Sequence, residues 1–154
     1  MKKIMFTLIM MIAMAGAVFA NGDEALAFFH SYINAANTYN PCIATMYSPN
    51  AKIIREVIRP NGEIVTKVTN TQRYISEMRK SQAIAKLRRY KNSYSNICVQ
   101  SLGNGVYKIS SLRQPSGESY RLKAYSIVKK APNGEWKITE EMMQTKVQMI
   151  LNAQ

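Results

Sequence analysis

Four short clusters fix how this chain can run: Pro60-Asn61-Gly62, Gly103-Asn104-Gly105, Pro115-Ser116-Gly117 and Pro132-Asn133-Gly134. Each joins glycine, which adopts positive φ at little cost, to residues that preset or tolerate turn dihedrals, and each lies between β-prone stretches. The pattern predicts four hairpins and strands over about 52–59, 63–69, 92–102, 105–113, 119–130 and 135–147. The sequence Pro-Asn-Gly-Glu occurs at both 60–63 and 132–135. Its flanks do not repeat, so it reads as reused turn chemistry and not as an internal duplication.

The remaining segments carry helical signals. Between Glu24 and Tyr39, projection at 100° per residue gathers Leu26, Phe28, Phe29, Tyr32, Ile33, Ala36 and Tyr39 on one half of the wheel. Ser31, Asn34, Asn37 and Thr38 lie opposite, which predicts an amphipathic first helix. Pro41 suits a helix start, and Ile43, Met46 and Tyr47 give a short second helix ending near Ser48-Pro49-Asn50. A third helix is expected to begin near Thr69 or Asn70, where Thr69 and Gln72 have capping-box spacing, and its apolar stripe is Tyr74, Ile75 and Met78. The predicted order is α-α-β-β-α-β-β-β-β. It describes an α+β roll in which a curved antiparallel sheet of about six strands wraps around three helices.

With 154 residues, 47% of them hydrophobic, the chain has enough apolar material for the core of one domain. That domain is expected over residues 21–154. Ahead of it, Lys2 and Lys3 precede an apolar run from Ile4 to Ala17, and Val18-Phe19-Ala20 offers small residues where a signal peptidase cuts. Residues 1–20 are therefore expected to be a signal peptide cleaved after Ala20, delivering a periplasmic or secreted protein. The run is shorter than the roughly 20 residues that span a bilayer comfortably, which disfavours an uncleaved anchor. Cys42 and Cys98 are the only cysteines. An even count in an oxidising compartment predicts a disulfide between them.

At this point the chain resembles a known superfamily. The element order, the segment Met46-Tyr47-Ser48-Pro49-Asn50-Ala51-Lys52-Ile53 entering the first strand, and Asn133-Gly134-Glu135-Trp136-Lys137-Ile138 opening the last are similar to nuclear transport factor 2-like proteins. The resemblance covers nearly all of residues 23–147. It implies a cone-shaped roll enclosing an apolar cavity, often a homodimer through the outer sheet face. The superfamily hosts isomerases, dehydratases, hydrolases and non-enzymatic binding or assembly domains, so the fold alone does not select an activity. Enzymes resembling ketosteroid isomerase commonly carry an acid near the entrance to the first strand, where this chain has Asn50.

The stock of acids and bases narrows the chemistry. The single aspartate, Asp23, stands three residues after the expected cleavage point, and the single histidine, His30, falls on the border of the first helix's apolar face. Neither the histidine nor the cysteines have metal-ligand spacing, and no cofactor is indicated. Strict alternation in the last strand puts Trp136, Ile138, Glu140 and Met142 on one face, making Glu140 a candidate general acid or base. It turns Glu141 outward, toward neighbouring lysines. Enzymatic use of the cavity as an isomerase, lyase or hydrolase would therefore fall to Glu140 or His30 with a tyrosine donor.

Tyr32, Tyr47, Tyr74, Tyr94 and Trp136 are the candidate lining of a ligand pocket, offering apolar walls with a few hydroxyl donors. Positive charge is the other signal: 21 Lys plus Arg face 9 Asp plus Glu. Arg73, Arg79, Lys80, Lys86, Arg88, Arg89 and Lys91 form a basic flank on the third helix and the start of the following strand. For an exported protein that flank suits an anionic envelope lipid or an acidic protein partner. Tyr90 and Tyr94 interleave with it, but no nucleic-acid recognition motif accompanies them. The sequence thus favours an exported, non-enzymatic binding or assembly module with an apolar cavity and a basic flank.

Overall fold

The computed structural model describes residues 21–152, so the expected signal peptide lies outside the described residues. A helix over 21–37 (α1) is followed by a 3-10 turn, Pro41–Met46, and strands β1 (Tyr47–Ile58) and β2 (Ile64–Asn70). Helix α2 (Thr71–Leu87) leads into β3 (Asn92–Gly103), β4 (Val106–Pro115), β5 (Leu122–Lys130) and β6 (Trp136–Thr145), and a short helix α3 (Met149–Asn152) follows. All four hairpins and the predicted order are present with two corrections: the expected second helix is a 3-10 turn that ends at Met46, so that Tyr47, Ser48, Pro49 and Asn50 open β1, and α3 follows the last strand, which stops at Thr145.

Local chemistry explains the boundaries. Asn70, and not Thr69, caps α2: its side chain accepts from the Arg73 backbone N–H at 2.9 Å, satisfying one of the open donors of the first turn. Helix α2 stops at Arg88. Arg89 then takes φ of 52°, and the Arg89 and Tyr90 N–H groups bond back to Lys86 and Ala85 in a Schellman arrangement. The two Pro-Asn-Gly-Glu turns are built alike. Gly62 and Gly134 take φ of 86° and 84°, and Asn61 and Asn133 accept from the N–H two residues on.

The strands form one sheet in the order β2-β1-β6-β5-β4-β3. The expectation of an antiparallel sheet needs one correction, because β1 and β6 pair in parallel while the other neighbours are antiparallel. The whole β2-to-β5 excursion serves as the crossover that a parallel pair requires. Irregularities interrupt β1 between Tyr47 and Lys52, β3 between Ser95 and Cys98, and β6 between Ile138 and Glu140. Such bulges sharpen the twist and bend the strands.

The core lies between the concave face of this sheet and the helices. Ala25, Phe29, Tyr32 and Ala35 of α1 pack on Ile53, Tyr107, Ile109, Val128 and Ile138, all buried. The predicted apolar face of α1 is therefore the face that docks, and Tyr74 and Met78 of α2 pack against the same cluster.

The expected disulfide is not formed: Cys42 and Cys98 are free and exposed. Cys42 sits on the 3-10 turn in the helical layer. Cys98 pairs across from Ser110, whose neighbours Ile109 and Ser111 are the inward residues of β4, so its side chain belongs to the opposite, outer sheet face. Opposite layers of a packed roll are too far apart for the Cβ separation a disulfide demands.

Candidate functional site

Beneath α1, the interior of the sheet is built around Glu141, which has no exposed surface. One carboxylate oxygen accepts from the Tyr32 hydroxyl at 2.8 Å and the Tyr47 hydroxyl at 2.6 Å, and the other accepts from Arg55 Nη2 at 2.6 Å. The ring of Tyr74 lies under the Arg55 guanidinium and edge-on to Tyr47. Helix α1, the entrance of β1, the middle of β1, and β6 thus converge on one acid.

This corrects the expectation for the last strand. Ser126 of β5 pairs with Glu141 and Ile127 with Glu140, but Val128 pairs with Ile138, leaving Thr139 as the extra residue of a bulge. One inserted residue reverses the phase of alternation. Ile138 and Glu141 therefore both point inward, while Glu140 lies on the outer face, where it accepts from the Tyr125 hydroxyl at 2.6 Å. His30 is exposed on α1. Neither Glu140 nor His30 meets the cavity tyrosines.

Burial and the Glu141 charge shape the titration of the tyrosines around it. Tyr32 and Tyr47 are pushed well above the ordinary phenol range, first by burial and then by the adjacent carboxylate. Tyr74 and Tyr94 are raised for the same two reasons in the same order. Burial works against the Arg55 charge, yet the Glu141 carboxylate outweighs it and holds the guanidinium above its usual value. The sign of the consequence follows. Below about pH 10 the phenols are neutral in folded and unfolded chains alike. Above it the unfolded chain releases protons that the folded chain retains, so stability falls by about 1.4 kcal/mol per pH unit for each phenol held. Unfolding titrations between pH 8 and 11.5 are expected to show this steep alkaline loss, with phenolate absorbance from these four residues appearing only as the protein unfolds.

Above this cluster a cavity of about 200 Å³ opens between α1, α2 and the sheet, with Tyr32, Tyr74, Met78, Asn92, Tyr94 and Met143 in its wall. Of the predicted pocket residues, Tyr32, Tyr74 and Tyr94 line it, and Tyr47 lies behind them against Glu141. Trp136 does not join them. It stacks edge-on to Tyr107 and lines a wider open groove of about 860 Å³ with Glu24, Phe28 and Met46. That groove is a surface feature bordered by the Lys130–Glu24 and Lys137–Glu135 ion pairs. The smaller cavity, enclosed on several sides and carrying convergent hydroxyls and amides, is the candidate site.

Sequence reasoning missed Arg55 and three further polar members of the interior. Asn37 and Asn92 clasp one another's elements: the Asn37 amide donates to the Asn92 carbonyl and accepts from the Asn92 N–H, both at 2.9 Å, tying α1 to β3. Arg113 of β4 is 4% exposed. The alternation Tyr107, Ile109, Ser111, Arg113 in β4 carried the signal, since it places an arginine on an otherwise inward face. Among the described residues no group of three or more His, Cys, Asp or Glu side chains could hold a metal ion.

The residues of the expected basic flank are exposed and fall into two groups, Arg73, Arg79 and Lys80 along α2 and a second set at its end. Arg73 pairs with Glu77 one turn along α2. Lys86, Arg88, Arg89 and Lys91 gather at the helix C-terminus beside Ile84, Leu87 and Tyr90, which are exposed apolar side chains. Cations there also complement the negative end of the helix dipole.

Comparison with solved structures places the fold. The chain superposes on a candidate scytalone dehydratase from Novosphingobium aromaticivorans at TM-score 0.57 and 15% identity, covering 83% of this chain and 84% of that one. An NTF-2-like protein of unknown function from Shewanella oneidensis gives TM-score 0.58 at 14% identity, over 80% and 98% of the two chains. A candidate ketosteroid isomerase from Shewanella frigidimarina gives 0.53 at 16% identity, over 80% and 94%. No protein-family model and no curated protein matches the sequence. The chain has the nuclear transport factor 2-like fold, an open six-stranded mixed sheet coiled around its helices. Proteins of this fold include isomerases and proteins without an assigned activity, and a ligand-binding or enzymatic role is compatible with it.

Proposed function

We propose that this chain is an exported, non-enzymatic binding domain that holds a small apolar ligand in the tyrosine-lined cavity and meets an anionic envelope surface with its basic flank. The observation that carries the reading is the state of Glu141. Both of its oxygens are committed to donors, to Tyr32 and Tyr47 on one side and Arg55 on the other, and it has no exposed surface. A general base must reach the proton it removes, and this carboxylate is walled off by its own partners. What faces the cavity is aromatic and thioether surface with phenol and amide groups, the composition of a binding pocket.

Native mass spectrometry of the protein isolated from its own compartment tests the reading. The expected result is a mass beginning at Asn21 with a small molecule retained, and loss of that molecule when Ala36→Phe fills the cavity. A protein that keeps residues 1–20, or that turns over a substrate at a rate abolished by Glu141→Gln in a folded variant, would overturn it. For the flank, the exposed Ile84 and Leu87 beside Lys86, Arg88, Arg89 and Lys91 support a lipid surface. Cosedimentation is expected with phosphatidylglycerol vesicles and not with phosphatidylcholine, and it should weaken as salt is raised.

A further inference from the structure

Among the described residues, Arg113 is a buried cation with no carboxylate partner. Its Nη1 donates to Asn92 Oδ1 at 2.8 Å and to the Tyr90 hydroxyl at 3.4 Å, and Nη2 donates to the Gln144 carbonyl at 2.8 Å. Its Nε is buried and meets no acceptor, and the hydroxyl of Ser111, the preceding inward residue of β4, is likewise buried and unpartnered. The contrast with Arg55 is direct, because that guanidinium is neutralised by Glu141. With Glu141 paired to Arg55, Arg113 is left, among the described residues, as a buried charge without a counter-charge. Burying a charge costs several kcal/mol unless an opposite charge offsets it.

The groups around Arg113 belong to the cavity. Tyr90, Asn92 and Tyr94 all line it, and Tyr94 stands directly across the ladder from Arg113. Asn92 Oδ1 is taken by Arg113 and by the Tyr90 hydroxyl at 3.2 Å, so its amide –NH₂ is the polar group that side chain has left to give. The Tyr94 hydroxyl engages no acceptor among the described residues. Two donors without acceptors, backed by a buried positive charge, define a place for an anion at one end of an apolar hollow.

We infer that the cavity's ligand is a small monocarboxylic acid, its apolar body against the tyrosines and Met78, its carboxylate held by Asn92 and Tyr94 with Arg113 as the positioning charge behind them. This rests on the ligand-binding reading and adds the chemical class. A cavity of about 200 Å³ fits a single-ring or short branched-chain acid.

Matched acids and amides separate the two ideas. Phenylacetate, 4-methylpentanoate and their primary amides would be titrated calorimetrically into the isolated protein. Each acid is expected to bind at least about tenfold more tightly than its amide, the ratio that one charge-assisted contact supplies. Asn92→Asp gives Arg113 an internal counter-ion with the same side-chain shape. It is expected to raise the thermal midpoint while abolishing the preference for acids, a combination that loss of structure cannot produce. Arg113→Gln should erase the preference and Arg113→Lys should keep it. Amides that bind as tightly as acids would overturn the anionic assignment and leave the binding reading standing. If neither acids nor amides bind, both are overturned.

Discussion

Glu141→Gln is expected to cost about 3–5 kcal/mol of stability, the usual penalty for leaving one partner of a buried ion pair without the other. Glutamine keeps the shape of the side chain but not its charge, so Arg55 would remain in the interior with only dipoles to face. Tyr32 and Tyr47 would lose a charged acceptor as well, and hydrogen bonds to charged groups contribute about 1.5–3 kcal/mol each. Against a total stability of about 5–15 kcal/mol for a domain, that change alone brings the chain near its unfolding threshold. Urea unfolding should show a lower midpoint with an unchanged slope. Arg55→Met should cost a similar amount, whereas Arg55→Met combined with Glu141→Leu should recover much of either loss, because no unpaired charge then remains. Glu140→Gln serves as the contrast: its carboxylate meets Tyr125 on the outer face, and about 1 kcal/mol or less is expected from it. A Glu141→Gln variant as stable as the parent would show that the cluster does not hold the helical layer to the sheet.

The same residue shows where sequence reading succeeds and where it stops. The turns were legible because glycine and proline act locally: the dihedral demand of Asn61-Gly62 or Asn133-Gly134 is satisfied within the turn itself. The first helix was legible because its apolar face repeats over several turns, and Phe29 and Tyr32 emerged buried where the wheel put them. Fold class followed from the order of these elements. The face of Glu141 was not legible, since it depends on the bulge at Thr139, and a bulge is a property of two strands whose registers must be reconciled. Alternation counted along one strand has no access to its neighbour. The disulfide failed for a related reason: an even cysteine count carries no geometry, whereas bond formation needs Cys42 and Cys98 in one layer. Arg55 and Arg113 stood in plain alternation with Ile53, Val57, Tyr107 and Ile109, and a charged residue in such a row points to a buried partner or an awaited one. Charge counting over the whole chain drew attention to the flank instead, where the many exposed lysines and arginines sit.

Phe29→Ala tests how the helical layer is held, and a loss of about 3–5 kcal/mol is expected. The ring is 3% exposed, lies 6.1 Å from Tyr32 in a stacked arrangement, and meets Tyr94 edge-on at 5.6 Å between centroids. It therefore stacks on its own helix-mate Tyr32 and ties α1 across to Tyr94 of β3, a wall of the candidate cavity. The polar ties of α1 are few: Tyr32 to Glu141, Asn37 to Asn92, and Glu24 to Lys130 and Trp136, with the Tyr39 hydroxyl just past the helix donating to the Tyr90 carbonyl. Those bonds orient the helix, but burial of apolar surface supplies most of its docking free energy. Truncation to alanine removes that surface and opens a void that the sheet, bent by its bulges, has little freedom to close. Phe29→Leu fills part of the space and should cost much less than the alanine variant. Denaturant unfolding distinguishes two ways to fail. A lower midpoint with the parent slope means that α1 and the sheet still unfold together; a reduced slope means that α1 has already detached and exposed the cavity before the sheet gives way. A loss below about 1 kcal/mol would show that the polar ties, and not Phe29, keep the roof on the site.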